Sequence, residues 1–127
     1  MNLLEKVLLL EQEAAQFGFR WDNAHQIMAQ IKSECLEVSE HLPKLSDTSP
    51  SADLQEEIGD LLHAVFSLCV FCQFNPKDTL NLTLTKFERR LNAVKQIAGM
   101  RGLTNLEGHS FSELMEIWEQ AKKIADS

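Results

Sequence analysis

Cations are scarce in this sequence. Its 127 residues carry 12 Lys+Arg against 19 Asp+Glu, a formal charge of −7. A sequence-independent grip on nucleic acid needs clustered cations that displace counterions from the phosphate backbone, so nucleic acid is not an expected partner. An acidic chain can still reach phosphates through a metal ion. Long apolar runs are missing as well: the longest, around residues 64–72, falls short of the about 20 residues that a membrane-spanning helix needs. A basic leader is also lacking, because Glu5, Lys6, Glu11 and Glu13 interrupt the apolar opening "MNLLEKVLLLEQEAAQ", whereas a secretory signal has a basic start and an unbroken apolar centre. The expectation is a soluble, cytoplasmic protein with no membrane partner.

Cysteine is sparse too. Cys35, Cys69 and Cys72 make an odd number, which without a signal suggests reduced thiols. The last two have CxxC spacing but lie inside "AVFSLCVFCQF", with no second pair and no βαβ context. They read as buried apolar side chains rather than a zinc or redox site.

Repeats and low-complexity tracts are absent, and turn-forming residues are few: Gly18, the stretch Pro43 to Pro50, Asn75-Pro76, and Gly99 to Gly108. The length suits one domain with one core, residues 1–127, since domains commonly run to about 100–150 residues. The breaks divide the chain into helices. The first covers 2–17, with Leu3, Val7, Leu10, Ala14 and Phe17 at helical spacing, and the second 21–42. In the exposed loop "PKLSDTSPSAD", Ser49 suits a helix cap and Pro50 a first helical position. The third helix runs on to about 74, where Asn75-Pro76 stops it and starts the next. In "TLNLTLTKF" the Leu80, Leu82 and Leu84 alternation resembles a strand, but Leu80, Leu84, Phe87, Leu91, Val94 and Ala98 keep a sustained spacing of fours and threes, which favours a helix. Ser110 and Glu113 form an S-x-x-E capping box that opens a last helix to about 125. No convincing strand remains, so the expected fold is an all-α bundle of four to five helices.

Within it, "LQEEIGDLLHAVF" places Glu57 and Asp60 three residues apart where an apolar run begins. Residues at this spacing share one helix face. The preceding helix repeats the arrangement with Glu34 and Glu37 in "SECLEVSEHL". On adjacent antiparallel helices the pairs would bring four acids to one place, where mutual repulsion calls for a cation. Oxygen-only ligands favour Mg²⁺ or Mn²⁺ over zinc. The plainer reading is ordinary surface acids, as for Glu5, Glu11 and Glu13. Against it stand the repeated spacing and Gly59 between the second pair: glycine in a helix costs about 1 kcal/mol relative to alanine, and close approach of a helix or ligand is a reason to bear that cost.

Glu34-x-x-Glu37, nineteen intervening residues and Glu57-x-x-Asp60 together resemble the acid signature of MazG-type nucleoside triphosphate pyrophosphohydrolases, in the all-α NTP pyrophosphatase superfamily. "EEIGDLLHAVF", "KFERRL" and "SFSELMEIWEQAKK" resemble MazG segments in order and approximate spacing, so the likeness runs from about Trp21 to Lys123. The resemblance implies that Glu34, Glu37, Glu57 and Asp60 are catalytic ligands of Mg²⁺, with Mn²⁺ as a possible substitute. It also implies that Lys86, Arg90, Trp118 and Lys122 bind a nucleoside triphosphate, and that the chain forms a homodimer or homotetramer. The implied reaction is hydrolysis at the α-phosphorus to monophosphate and pyrophosphate, in control of the nucleotide pool. Ser33 stands where the family has the first of two successive acids, and Leu84 where it commonly has Asn. Glu56 is a base beyond the ligand shell or a solvent-facing acid, the latter being favoured.

Two alternatives stand beside this reading. A di-iron or di-manganese carboxylate bundle needs Glu-x-x-His on two helices; His63 follows Asp60 by three, but His41 follows Glu37 by four. A non-enzymatic helical dimerisation module is the other, with the apolar "LLHAVFSLCVF" helix expected to be covered on both faces.

Overall fold

The computed structural model describes residues 1–43 and 51–127. Every regular element among them is a helix: α1 (Leu3–Phe17), α2 (Ala24–His41), α3 (Ala52–Phe71), α4 (Pro76–Met100) and α5 (Phe111–Ala125). The all-α expectation holds, and the Leu80–Leu84 alternation lies within α4. No single described helix is long and apolar enough to cross a membrane.

Local chemistry sets the helix ends. The side-chain oxygens of Asn2, Asn23, Ser51 and Ser110 accept from backbone N–H groups of Glu5, Gln26, Leu54 and Glu113, satisfying donors that a helix start leaves free. The cap of α3 is therefore Ser51, with Ala52 as its first residue. Ser49 and Pro50, which the sequence suggests for those positions, lie outside the described residues. Asn75 caps α4, accepting from the N–H of Lys77 at 2.9 Å and of Asp78 at 3.3 Å, and Pro76 follows at the first helical position, where no N–H is needed. Gly18 and Gly102 take left-handed backbone just past α1 and α4, at φ +97° and +75°. There the N–H groups of Phe19 and Leu103 reach back to the carbonyls of Ala14 and Ala98, a closure that favours glycine because it has no Cβ.

Contacts divide the chain into two compact units, Met1–Thr79 and Leu80–Ser127. In the first, α3 packs against both α2 and α1, with Ile27 of α2 and Leu54 and Ala64 of α3 buried. The inner stripe of α1 is Leu4, Leu8, Glu11 and Ala15, flanked by Val7 and Ala14, all half-buried, whereas Leu3, Leu10 and Phe17 are exposed. The expected stripe is thus rotated. Leucines at positions 3, 4, 8, 9 and 10 offer two competing faces, and packing on α3 selects one. On α3 itself Ala64 and Ser67 are buried, but Leu62 is 55% exposed and Val65 is open too, so among the described residues of the first unit only one face of that helix is covered. Cys35 and Cys72 are exposed free thiols and Cys69 is half-buried. The expectation that Cys69 and Cys72 are buried fails for Cys72, which is the C-cap of α3, past its packed stretch.

In the second unit, Ala93 and Ile97 of α4 meet Ile117 and Ala121 of α5 in one core, with Val94, Leu106 and Ala125 packed around it. The earlier turns of α4 are less covered, Leu82 being 74% exposed and Leu84 and Phe87 also open.

Candidate metal centre

Glu34 and Glu37 sit one turn apart on α2, and Glu57 and Asp60 one turn apart on α3. Because α2 and α3 pack together, the two acid pairs converge. Ligand oxygens of Glu34, Glu57 and Asp60 lie within 4.8 Å of one another, and so do those of Glu37 and Glu57 with a ring nitrogen of His41. Glu57 belongs to both groups. Glu34 on α2 meets Asp60 on α3, while His41 further along α2 meets Glu57 earlier on α3; numbers rise on one helix as they fall on the other, the signature of antiparallel neighbours. All four acids singled out by the sequence are therefore brought together.

The crowding shows in the ionisation of the cluster. Glu57 is held above the ordinary carboxylate range, first by partial loss of water and then by the negative charge of Glu37, with Asp60 and Glu34 adding to it and His41 opposing. His41 is raised above the ordinary imidazole value, foremost by its Nδ1–H donating to the Glu37 carbonyl at 2.8 Å, with Glu57, Asp53 and Glu37 adding charge and partial desolvation opposing. Gln30 donates through its side-chain amide to a Glu34 oxygen at 2.7 Å, which steadies that carboxylate. The ion pairs among the described residues are His63–Glu11, Arg90–Asp126 and Lys122–Glu119, none of which involves the four acids. A dication fits this donor set. Ions of this kind bind oxygen at about 2.0–2.6 Å, so ligand atoms already gathered within 4.8 Å need only small side-chain adjustments to surround one.

Of the two reasons offered for Gly59, the close approach of a helix is not met among the described residues. A Cβ built on it meets nothing within 4 Å, so no other part of the described chain requires glycine there. Glu56 is exposed, in keeping with its solvent-facing reading.

One polar cluster escaped the sequence reading. Glu11, expected to be an ordinary surface acid, has a side chain only 18% exposed and accepts from His63 Nε2 at 2.7 Å. The same oxygen accepts from the Ser67 hydroxyl at 2.7 Å. A cavity of about 950 Å³ opens beside these groups, lined also by Leu8, Trp21 and Phe71. His63, the histidine of the Glu-x-x-His-like pair that a di-metal carboxylate bundle would use, is engaged with Glu11 and belongs to neither group of converging ligand atoms among the described residues. The spacing of Glu11, His63 and Ser67 along the chain carries no signal; only the rotated stripe of α1 brings them together.

The residues singled out for nucleotide binding lie in the second unit. Arg90 donates through Nε at 3.3 Å and Nη2 at 2.6 Å to the two carboxylate oxygens of Asp126. Its guanidinium also lies 5.8 Å from the ring centre of Trp118, within cation–π range, and Phe87 tilts against the same indole at 6.0 Å. The hydrogen bond from Arg90 holds the Asp126 carboxyl below its usual range, helped by the charges of Arg90, Arg89 and Lys86 against some desolvation. Lys122 pairs with Glu119 at 2.8 Å, one turn back on α5. Arg90 and Trp118 are thus assembled into one cluster with Lys86 at its edge, and Lys122 has an acidic partner that sequence spacing alone leaves undistinguished from its neighbours.

An all-α protein in which two acid pairs converge on a position that could hold a dication is the class these observations define. Residues 22–95 match the family model of the MazG nucleotide pyrophosphohydrolase domain; that is more than half of the chain, and the chain belongs to this family. It is 29% identical over 113 residues to the nucleoside triphosphate pyrophosphohydrolase/pyrophosphatase MazG of Thermotoga maritima, covering 89% of this chain and 41% of that protein. It is also 29% identical over 114 residues to the nucleoside triphosphate pyrophosphohydrolase of Escherichia coli K12, covering 90% and 42%. The chain spans about two fifths of the length of these curated relatives.

Proposed function

We propose that this protein hydrolyses nucleoside triphosphates, NTP or dNTP, at the α-phosphorus in an Mg²⁺-dependent reaction, and that it serves nucleotide-pool control. The observation that carries the reading is the convergence of Glu34, Glu37, Glu57 and Asp60 between α2 and α3, on a chain whose family and relatives are named for this activity. When bound, the dication neutralises phosphate charge and makes a water more acidic. The four acids would hold it, with Gln30 steadying Glu34 and the antiparallel packing of α2 and α3 bringing the two pairs together. In the reaction a water oxygen bonds to the α-phosphorus and gives up a proton to solvent, the bond from that phosphorus to the bridging oxygen breaks, and pyrophosphate leaves with the electron pair.

Lys86, Arg90 and Lys122 are proposed to offset polyphosphate charge, and Trp118 to contribute an aromatic surface. The support for these four is the resemblance of "KFERRL" and "SFSELMEIWEQAKK" to family segments, together with the gathering of Arg90 and Trp118 in the second unit. Arg90 would have to share or exchange Asp126 when a phosphate arrives. The family match crosses the boundary between the two units, which supports reading residues 1–127 as one functional domain. We further read the protein as a cytoplasmic homodimer or homotetramer. Unpaired Cys35, Cys69 and Cys72 suit a reducing compartment, and the open apolar positions Leu62, Val65, Leu82 and Leu84 suit association.

A panel of NTPs and dNTPs with Mg²⁺, scored for monophosphate and pyrophosphate, tests the proposal. Release of pyrophosphate with the monophosphate is the expected result; no turnover anywhere in the panel, or inorganic phosphate with the diphosphate, refutes it.

A further inference from the structure

The four acids are not the whole of the cluster. His41 stands beside Glu37 and Glu57, its ring nitrogen within 4.8 Å of both carboxylates, and no residue pattern that identifies the acid signature includes it. We propose that Glu37, His41 and Glu57 form a second cation position, distinct from the all-oxygen group of Glu34, Glu57 and Asp60, and that the imidazole makes it selective for a first-row transition dication over Mg²⁺.

Three features point this way. First, the ring is oriented: Nδ1–H donates to the Glu37 carbonyl at 2.8 Å, so in the neutral ring Nε2 is the nitrogen whose lone pair a metal can take. Histidines that bind metals commonly have their other ring nitrogen engaged in this manner, and the engagement raises the ligand's basicity. Second, His41 is the last residue of α2, where the helix carries the negative end of its dipole and its final carbonyls are unpaired. A cation is favoured there before any side chain is counted. Third, the ligand separations suit an ion. Metal–nitrogen and metal–oxygen bonds near 2.1 Å set ligands on opposite sides of the ion about 4.2 Å apart, and the three atoms already lie within 4.8 Å of one another.

The chemistry of the donors then decides the occupant. Mg²⁺ takes oxygen ligands and loses its waters reluctantly, so it suits the four carboxylates, of which Glu37 and Glu57 are the two that the second position would also draw on. Imidazole suits borderline ions, and affinity of a mixed nitrogen and oxygen site rises from Mn²⁺ through Fe²⁺ and Co²⁺ towards later metals. Glu57, common to both groups, would bridge the two positions.

The inference rests on the acids being a metal centre but not on the identity of the substrate. It is tested on the chelator-stripped 127-residue chain titrated with Mn²⁺ and, separately, Mg²⁺, with pulsed EPR of the Mn²⁺ samples to detect directly bonded nitrogen. The expected result is a nitrogen coupling in the wild type that persists in His63→Ala and disappears in His41→Ala. Mn²⁺ affinity at that position falls by at least about tenfold in His41→Ala, since loss of a mere outer partner already costs about 10–100-fold, while Mg²⁺ binding changes by less than about twofold, as Mg²⁺ does not depend on nitrogen. Mn²⁺ bound through oxygen alone in the wild type overturns the role of His41 and leaves the acid centre standing. A nitrogen coupling that survives His41→Ala also overturns it. Failure of both ions to bind removes the acid centre and this position together. The wild-type spectrum decides the first question even if the variant fails to fold.

Discussion

Gly59→Ala is the substitution in which helix physics and the site give separable answers. Gly59 lies inside α3, between Glu57 and Asp60, with no left-handed backbone to require it. Replacing a helical glycine by alanine gains about 1 kcal/mol, because the unfolded chain has less freedom to lose. The added methyl meets no atom within 4 Å, so nothing in the described chain subtracts from that gain. Unfolding entropy near 2.1 cal/mol/K per residue for a chain of 127 residues converts about 1 kcal/mol into a rise in Tm of about 4 °C. Differential scanning calorimetry on chelator-treated protein measures it, and steady-state pyrophosphate release is followed alongside. A rise in Tm with a fall in kcat/KM would show that substrate needs the space a Cβ fills. A fall in Tm refutes the reasoning: it would mean that the space beside Gly59 is occupied in the folded protein, by a second copy of the chain or another body.

Glu57→Gln is expected to abolish pyrophosphate release while raising the Tm of the metal-free protein, because one member of a crowded set of negative charges is removed; retained turnover or a lower metal-free Tm counts against the site. Asp126 gives a pH test. Its folded carboxyl is held below the ordinary 3.8 by Arg90, so its contribution is fully present above that value and is lost as pH falls through the lower folded value. The Tm difference between wild type and Asp126→Asn is therefore constant above about pH 5 and closes in more acidic solution; a gap that widens on acidification sinks the pairing. Ile117→Ala, at a position 1% exposed in the core of the second unit, is expected to cost about 2–5 kcal/mol in urea unfolding, and a cost well under about 1 kcal/mol would mean that the α4–α5 core is not packed as described.

The sequence made the acids legible because their information is carried by residue type at a fixed helical interval, and an interval survives folding unchanged. Glu34, Glu37, Glu57 and Asp60 needed only the additional fact that α2 and α3 are antiparallel neighbours. Glu11 was not legible in that way. The apolar residues of α1 admit two stripes, and the choice between them is made by α3, some fifty residues away in the chain. Ser51 was missed as a cap because "SPS" offers two serines around one proline, and local preference does not rank them. His41 follows Glu37 by a normal helical step, so its place beside Glu57 depends on where the opposite helix runs, which spacing along one helix cannot show.

One carboxylate common to two ligand groups has a practical consequence for dissecting them. Any alteration at Glu57 perturbs both positions simultaneously, so a null phenotype there is uninformative about their separate contributions. Glu34 and His41 are the independent handles. A drift in ion preference, whether bred in the laboratory or arising in related chains, has its least disruptive route through those unshared members.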